Sequence, residues 1–230
     1  MAALLLRPDR LTALPGVAAG FTTRAFAGPD EPLDDVRRRV AADAGFAALA
    51  SVGQVHGADV ATVREAGHVP AHDGLVTDQR GLLLTVVAAD CALVLMADAT
   101  AGVVGACHSG WRGTVAGIAG KTVEAMAALG ADPARIEAWI APCISAEAFE
   151  VGEEVAAAFP APAVVRRADW PRPHVDLRAA LGAALHAAGL HADHVAADPS
   201  CPALDTAHFY SYRAEGGTKG RMVGFVGLMP

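Results

Sequence analysis

Apolar positions recur along this chain in two rhythms, and the switches between them lay out its elements. Leu82–Ala88 is an almost unbroken apolar run, the mark of a strand covered on both faces. Ala92–Ala97 and Gly102–Cys107 continue that character, with a turn expected around Asp98. Ile136–Ile140 predicts a short buried strand and Val195–Ala197 a weaker one. Spacing of three and four marks helices over Asp34–Leu49, Thr114–Leu129, Glu150–Phe159 and Asp176–Ala188. Thr114 and Asp176 stand where N-caps belong, and Gly130, Pro133 and Gly189 where helices stop. Ser51–Val63 alternates around Gln54-Val55-His56-Gly57 and reads as strand–turn–strand. Phe209–Arg213 and Met222–Leu228 read as a hairpin with Gly216-Gly217 in its loop. Strands and helices are interspersed, yet adjacent strand pairs recur. The pattern predicts an α/β sandwich with mixed sheets rather than a strictly alternating doubly wound fold.

No internal repeat or linker divides the chain. Ala25–Pro32 and Pro160–Pro173 are proline-rich but short for interdomain connections, so residues 1–230 are expected to form a single domain. Composition narrows the partners. A net charge of −7 excludes the dense basic face of a nucleic-acid binder, and the run Arg37-Arg38-Arg39 reads as a solvated helix face. No apolar stretch approaches the ~20 residues of a membrane span, and Met1–Asp9 is too brief and too soon charged for a signal peptide. Cys91, Cys107, Cys143 and Cys201 are dispersed in apolar contexts, as metal ligands, nucleophiles or core thiols would be rather than disulfide partners. These features together predict a cytoplasmic protein acting on small molecules, with no nucleic-acid or membrane partner. They leave its oligomeric state open.

The candidate chemistry gathers in Ala106-Cys107-His108-Ser109-Gly110-Trp111-Arg112-Gly113. His108 ends an apolar run, Cys91 follows Asp90 between two others, and His56 closes a predicted strand. Imidazole nitrogen and thiolate sulfur are zinc ligands, and three of them leave a tetrahedral position open. The alternative is two satisfied histidines and a buried thiol. Cys107, next to His108, faces the opposite side of its strand and reads as core. The glycines around Arg112, just before a helix start, suit an anion site; a turn with Arg112 paired to a surface carboxylate would look the same. Gly120-Lys121-Thr122 is not a phosphate loop, because Val115 stands where its glycine belongs. Cys143, after Pro142, is a packed thiol, or else a nucleophile or a substrate contact. Arg213, in Tyr210-Ser211-Tyr212-Arg213, offers a second positive charge on an edge strand.

In this order the motifs resemble the multicopper polyphenol oxidoreductase, or laccase-domain, family. The matches are Phe21-Thr22-Thr23-Arg24, Gln54-Val55-His56-Gly57, Asp73-Gly74-Leu75-Val76-Thr77, Ala89-Asp90-Cys91 and His108-Ser109-Gly110-Trp111-Arg112-Gly113. They run on through Ala141-Pro142-Cys143-Ile144, Phe149-Glu150-Val151-Gly152, Phe209-Tyr210-Ser211-Tyr212-Arg213 and Gly220-Arg221. The resemblance implies an α/β/β/α-layered fold with zinc held by His56, Cys91 and His108, the three residues that would carry catalysis. It also implies phosphorolysis of adenosine, inosine and methylthioadenosine, together with adenosine deamination. Arg112, Arg213, Gln54, Arg24 and Cys143 would meet substrate or phosphate, and Asp90 or Asp73 would move protons. The shortened segment after Arg24 and Ala92 in place of the usual proline depart from the family pattern.

The laccase label itself fits poorly. A copper cluster of that kind needs about ten histidines, many in His-x-His pairs. The chain has 9 histidines and no such pair, which leaves copper as a substitute for zinc in a side reaction. Two other readings compete. One is a cysteine hydrolase acting on an amide or a peptidoglycan precursor, with Cys91 as nucleophile and His108 as base. The other is a non-catalytic zinc module, although such a site normally has four protein ligands.

Overall fold

Residues 4–230 are described by a computed structural model; Met1–Ala3, the start of the segment read as no signal peptide, lie outside them. Two six-stranded mixed sheets stack face to face. The first runs in spatial order Leu5–Leu6, Val17–Thr22, Met222–Leu228, Leu82–Ala88, Ala48–Val52, Gly67–Val69. The second runs Val195–Ala197, Glu137–Ile140, Ala92–Asp98, Val103–Ser109, Gly74–Thr77, Val60–Thr62. Among the described residues no helix is long and apolar enough to cross a membrane.

The continuous apolar runs are explained by what covers each face. Alternate side chains of a strand point to opposite sides. Leu84 and Val86 meet Leu93, Leu95, Val104 and Ala106 between the sheets, with Phe21 and Val226. Leu83 and Val87, from the same strand, pack outward with Val223 and Phe225 against Val36 and Val40 of the helix Leu33–Asp43. On the far side, Val94 and Met96 meet Val123 and Met126 of the helix Ile118–Ala128, and Leu181 and Leu185 of Leu177–Ala187. The layers are therefore helix, sheet, sheet, helix. The sheets approach closely at Gly224, where an added Cβ would lie 2.8 Å from Leu93 Cδ1.

Several elements differ from the sequence pattern, each for a local reason. The helix expected over Asp34–Leu49 ends at Asp43; Gly45 turns the chain at φ +83° and Ala48 begins a strand. The two strands expected within Ser51–Val63 do not pair with each other. Ala48–Val52 joins the first sheet and Val60–Thr62 the second, so residues 53–59 are a crossover. The helix expected from Thr114 begins earlier, at Trp111, and breaks at Gly117, whose φ of +80° separates Trp111–Val115 from Ile118–Ala128. Thr114 Oγ1 donates to Gly110 O rather than capping. Glu150–Phe159 holds a single turn, Glu153–Ala156. Phe209–Arg213 is turn and coil, so Met222–Leu228 has no hairpin partner there and pairs instead with Val17–Thr22 and Leu82–Ala88. By contrast Asp176 caps its helix as expected, accepting from Ala179 N at 3.0 Å.

The layer between the sheets carries the stability of this arrangement. Leu84→Ala, at a fully buried position, is expected to cost about 2–5 kcal/mol in urea unfolding. Leu204→Ala, at a position 61% exposed, should stay within about 0.5 kcal/mol. Equal effects at the two sites would contradict the packing described.

Candidate metal centre and cavity

Two crossovers between the sheets build the site. The chain leaves the first sheet at Ala88, passes through Ala89-Asp90-Cys91 and enters the second at Ala92. It makes the same passage from Val52 to Val60, carrying His56 across. His56 thus lies in the crossover loop at φ +61°, not at a strand end as its sequence predicted. His108 lies next to the end of Val103–Ser109, opposite Leu93 in the antiparallel pair. Strand pairing therefore sets His108 beside the start of the strand that Cys91 precedes.

Ligand atoms of His56, Cys91 and His108 all lie within 4.8 Å of one another. The two imidazole rings meet edge to face with centroids 4.8 Å apart. Gly110 makes room: a Cβ there would sit 3.0 Å from both Cys91 Sγ and His56 Cδ2. Two imidazoles and a thiol at this separation, with a glycine in the remaining space, can hold a transition-metal cation.

Asp73, buried just ahead of the strand Gly74–Thr77, holds the set together. Its Oδ1 accepts from His108 Nδ1 at 2.8 Å, which leaves Nε2 as that ring's free nitrogen. The same carboxylate accepts the backbone N–H groups of Val55, His56 and Gly57 at 3.0, 3.0 and 2.8 Å. A carboxylate behind a ligating histidine fixes its tautomer and orientation. Burial opposes the charge of Asp73, but the His108 ring and the amides of Gly57 and Val55 outweigh it and hold the carboxyl below its usual range. With all these donors in place Asp73 positions the ligands and is not free to carry protons.

Electrostatics follow from this arrangement. Burial raises the Cys91 thiol, yet His108 and His56 overcome that and bring it down to about 6. Burial also disfavours a charged His108, but Asp73 and Cys91 raise the ring to about 9. Cys107 and Cys143, buried among apolar neighbours, are both pushed up to about 12.

The triad borders a cavity of about 700 Å³. Trp111, Phe149 and Tyr212 give it aromatic walls, and Arg37, Arg213 and Arg221 face it alongside one carboxylate, Asp90. Asp90 sits at φ +85°. Its Oδ2 accepts from Arg213 N at 2.7 Å, while Oδ1 is buried without a partner. Non-glycine residues at positive φ are costly, and they persist where the surroundings over-determine them. Gln54, His56 and Asp90 are three of the four in the described chain.

The residues expected to meet substrate divide into two groups. Gln54 and Arg213 line the cavity. The Gln54 amide pairs with both Val87 N and Val87 O at 2.7 Å, tying one crossover to the strand that leads into the other. Arg213 donates to Ala148 O and Glu150 O. Arg112, Arg24 and Cys143 are not among the lining residues. Arg112 is exposed, lies within the short helix rather than ahead of it, and stacks over Trp111 at 4.3 Å. Arg24 donates to Thr206 O, pairs with Glu215 and lies 4.4 Å over the Tyr210 ring. Since Glu215 also accepts from Ser211 N, Arg24 braces the loop that holds Asp90.

The sequence reading gave no site role to two cavity residues and misplaced a third. Arg37 is buried, not part of a solvated face. It falls on the helix stripe of Leu33, Val36 and Val40, a signal masked by its two arginine neighbours. His68 and Arg221 also line the cavity; Arg221 stood only within the Gly220-Arg221 match, and His68 in no motif.

Comparison with known proteins bears on the family and the fold. Residues 27–229 match the family model described as multi-copper polyphenol oxidoreductase laccase. A purine nucleoside phosphorylase of Deinococcus radiodurans is 42% identical over 246 aligned positions, covering 97% of this chain and 92% of that protein. An adenosine deaminase from an unknown prokaryotic organism is 40% identical, over 65% of this chain and 59% of its own length. The crystal structure of YlmD from Geobacillus stearothermophilus superposes with a TM-score of 0.87 at 31% identity, covering 100% of this chain and 98% of that one.

Two measurements test the centre. Gly110→Ala is expected to fold, since φ is −68° there, but to bind zinc at least about tenfold more weakly by chelator competition, because ligand shells tolerate little displacement. Wild-type affinity in that variant would show that the space beside Cys91 and His56 is not needed. In metal-free protein, iodoacetamide should alkylate Cys91 with a rate that rises through about pH 6, while Cys107 and Cys143 stay inert; a midpoint near the ordinary ~8.5 would contradict the thiolate–imidazolium pairing.

Proposed function

The chain belongs to the multi-copper polyphenol oxidoreductase laccase family, and from that membership and its site we propose that it is a zinc-dependent purine nucleoside enzyme. The reading is phosphorolysis of adenosine, inosine and S-methyl-5′-thioadenosine, with deamination of adenosine as a second activity. The observation that carries it is the convergence of His56, Cys91 and His108 at the wall of a cavity with aromatic and cationic sides. The volume lies within the roughly 300–1,000 Å³ usual for small-molecule sites. The relatives named as purine nucleoside phosphorylases and as an adenosine deaminase supply the substrate class.

Each group of the chain then has a task. His56, Cys91 and His108 would hold the ion, which when bound supplies Lewis acidity and polarises an atom brought against it. Trp111, Phe149 and Tyr212 offer faces for a purine ring, an interaction available to any base. Asp90 is the carboxylate placed to move a proton, because it borders the cavity and its Oδ1 makes no hydrogen bond while Oδ2 is held by the Arg213 amide. Arg213 is fixed by two carbonyls and keeps Phe149 beneath its guanidinium, 5.5 Å from the ring centroid. In phosphorolysis the glycosidic C–N bond breaks, a phosphate oxygen joins the ribose carbon, and the leaving base takes a proton that Asp90 can deliver. Free thiols at all four cysteines suit a cytoplasmic setting.

One observation favours a second reading, a cysteine hydrolase. The lowered Cys91 thiol beside a raised His108 is what nucleophilic catalysis requires. The same charges also suit metal ligation, and the Asp73 clamp on His108 serves both. Copper in place of zinc would account for a polyphenol-oxidising side activity without the histidines of a copper cluster.

The reading is tested by incubating metal-assayed protein with adenosine. Adenine release that requires phosphate, inosine formation without it, and loss of both to background in Cys91→Ala and His108→Ala are the expected results. Turnover that persists after complete removal of the metal would favour the thiol reading. A chelator that unfolds the protein would favour a structural zinc module.

A further inference from the structure

Resting on the nucleoside reading, we propose that Arg37 and Arg221 form the phosphate seat of this cavity, on the side walled by the helix Leu33–Asp43. Arg37 belongs to the inward stripe of that helix, and its side chain is 6% exposed. Its one hydrogen bond, from Nη1 at 3.1 Å, goes to Asp34, whose own side chain is 74% exposed. Its Nε is buried and unpaired. A guanidinium withdrawn from water loses hydration that a single solvated carboxylate does not replace. Its neighbours behave differently: Arg38 and Arg39 remain more exposed and pair with Asp35 and Glu31. Position 37 therefore carries a desolvated cation that borders the substrate cavity.

Arg221 comes from another element, immediately before the strand Met222–Leu228. Its Nη1 donates to Thr218 O at 2.6 Å and to Gly220 O at 2.8 Å. Those bonds orient the guanidinium, and its other nitrogens make no hydrogen bond among the described residues. His68 lines the same cavity, its Nδ1 3.0 Å from Ser51 Oγ. The remaining arginines are poorer candidates. Arg213 is exposed and has both Nη atoms tied to carbonyls, Ala148 O and Glu150 O, and Arg112 is not among the lining residues. Arginine forks match the oxygens of a tetrahedral oxyanion, and a partly desolvated fork holds one more strongly than a solvated one. The ligand is a phosphate group, either inorganic phosphate or a phosphate ester carried by the substrate.

The test is calorimetric binding of inorganic phosphate and, separately, of adenosine 5′-monophosphate to the full-length, metal-loaded protein. Arg37→Gln and Arg221→Gln should each weaken phosphate binding at least about tenfold, the loss expected for a charge-assisted contact, and raise the KM for phosphate more than the KM for nucleoside. Arg112→Gln should bind phosphate as wild type does. Weakening confined to the nucleotide would assign the seat to an ester phosphate. If Arg37→Gln fails to fold by circular dichroism, Arg37→Lys and Arg221→Gln carry the test. Phosphate and nucleotide binding unchanged in the arginine variants, or absent in wild type, would overturn the proposal. Wild-type phosphate binding through Arg37 without nucleoside turnover would leave the seat standing and remove the nucleoside reading. Phosphate-dependent turnover with an unaltered phosphate KM in both variants would do the reverse.

Discussion

The carboxylate of Asp73 is the constraint on which the centre depends. One side chain satisfies three successive backbone amides of the first crossover loop and the inner nitrogen of His108. A buried carboxylate needs several donors to remain charged, and a loop at positive φ needs something to hold it there. Each requirement meets the other. The loop supplies amides that stabilise the charge, and the charge holds His56 in a conformation that an unrestrained chain would rarely adopt.

From that clamp the remaining geometry follows by topology. Both crossovers pass from the first sheet to the second at neighbouring strands, since Ala48–Val52 pairs in parallel with Leu82–Ala88. Their connecting loops therefore leave the first sheet side by side. Gln54 couples them directly through Val87. The antiparallel pairing of Ala92–Asp98 with Val103–Ser109 then brings His108 alongside. An acidic chain carries at this point a cavity whose arginines outnumber its carboxylates. Such local fields concentrate anions even when the net charge of the protein repels them.

What could be read from the sequence was what local physics decides. Leu82–Ala88 announced a doubly covered strand because nothing polar interrupts it, and Asp176 announced a cap because the bond it makes spans three residues. His56, Cys91 and His108 were legible as a possible set through residue type and order, while their meeting depends on strand register between segments far apart. The placement of His56 at a strand end failed because alternation around Gln54 concealed a passage between sheets. Phe209–Arg213 alternates like a strand but is bent by Glu215 and Asp90, which capture the amides of Ser211 and Arg213. Arg37 was hidden by company: three consecutive arginines look solvated, although one helix position in three or four must face inward. Arg112 was read as lying just ahead of its helix, but the helix already starts at Trp111, and the guanidinium stacks over that ring.

X-ray absorption at the metal edge tests the central claim most directly. Zinc-loaded protein should show one sulfur scatterer near 2.3 Å and nitrogen scatterers at about 2.0–2.1 Å, with the sulfur lost in Cys91→Ala. A shell of light atoms alone in the wild-type protein, or one that keeps its sulfur without Cys91, would contradict the meeting of these three side chains around one ion.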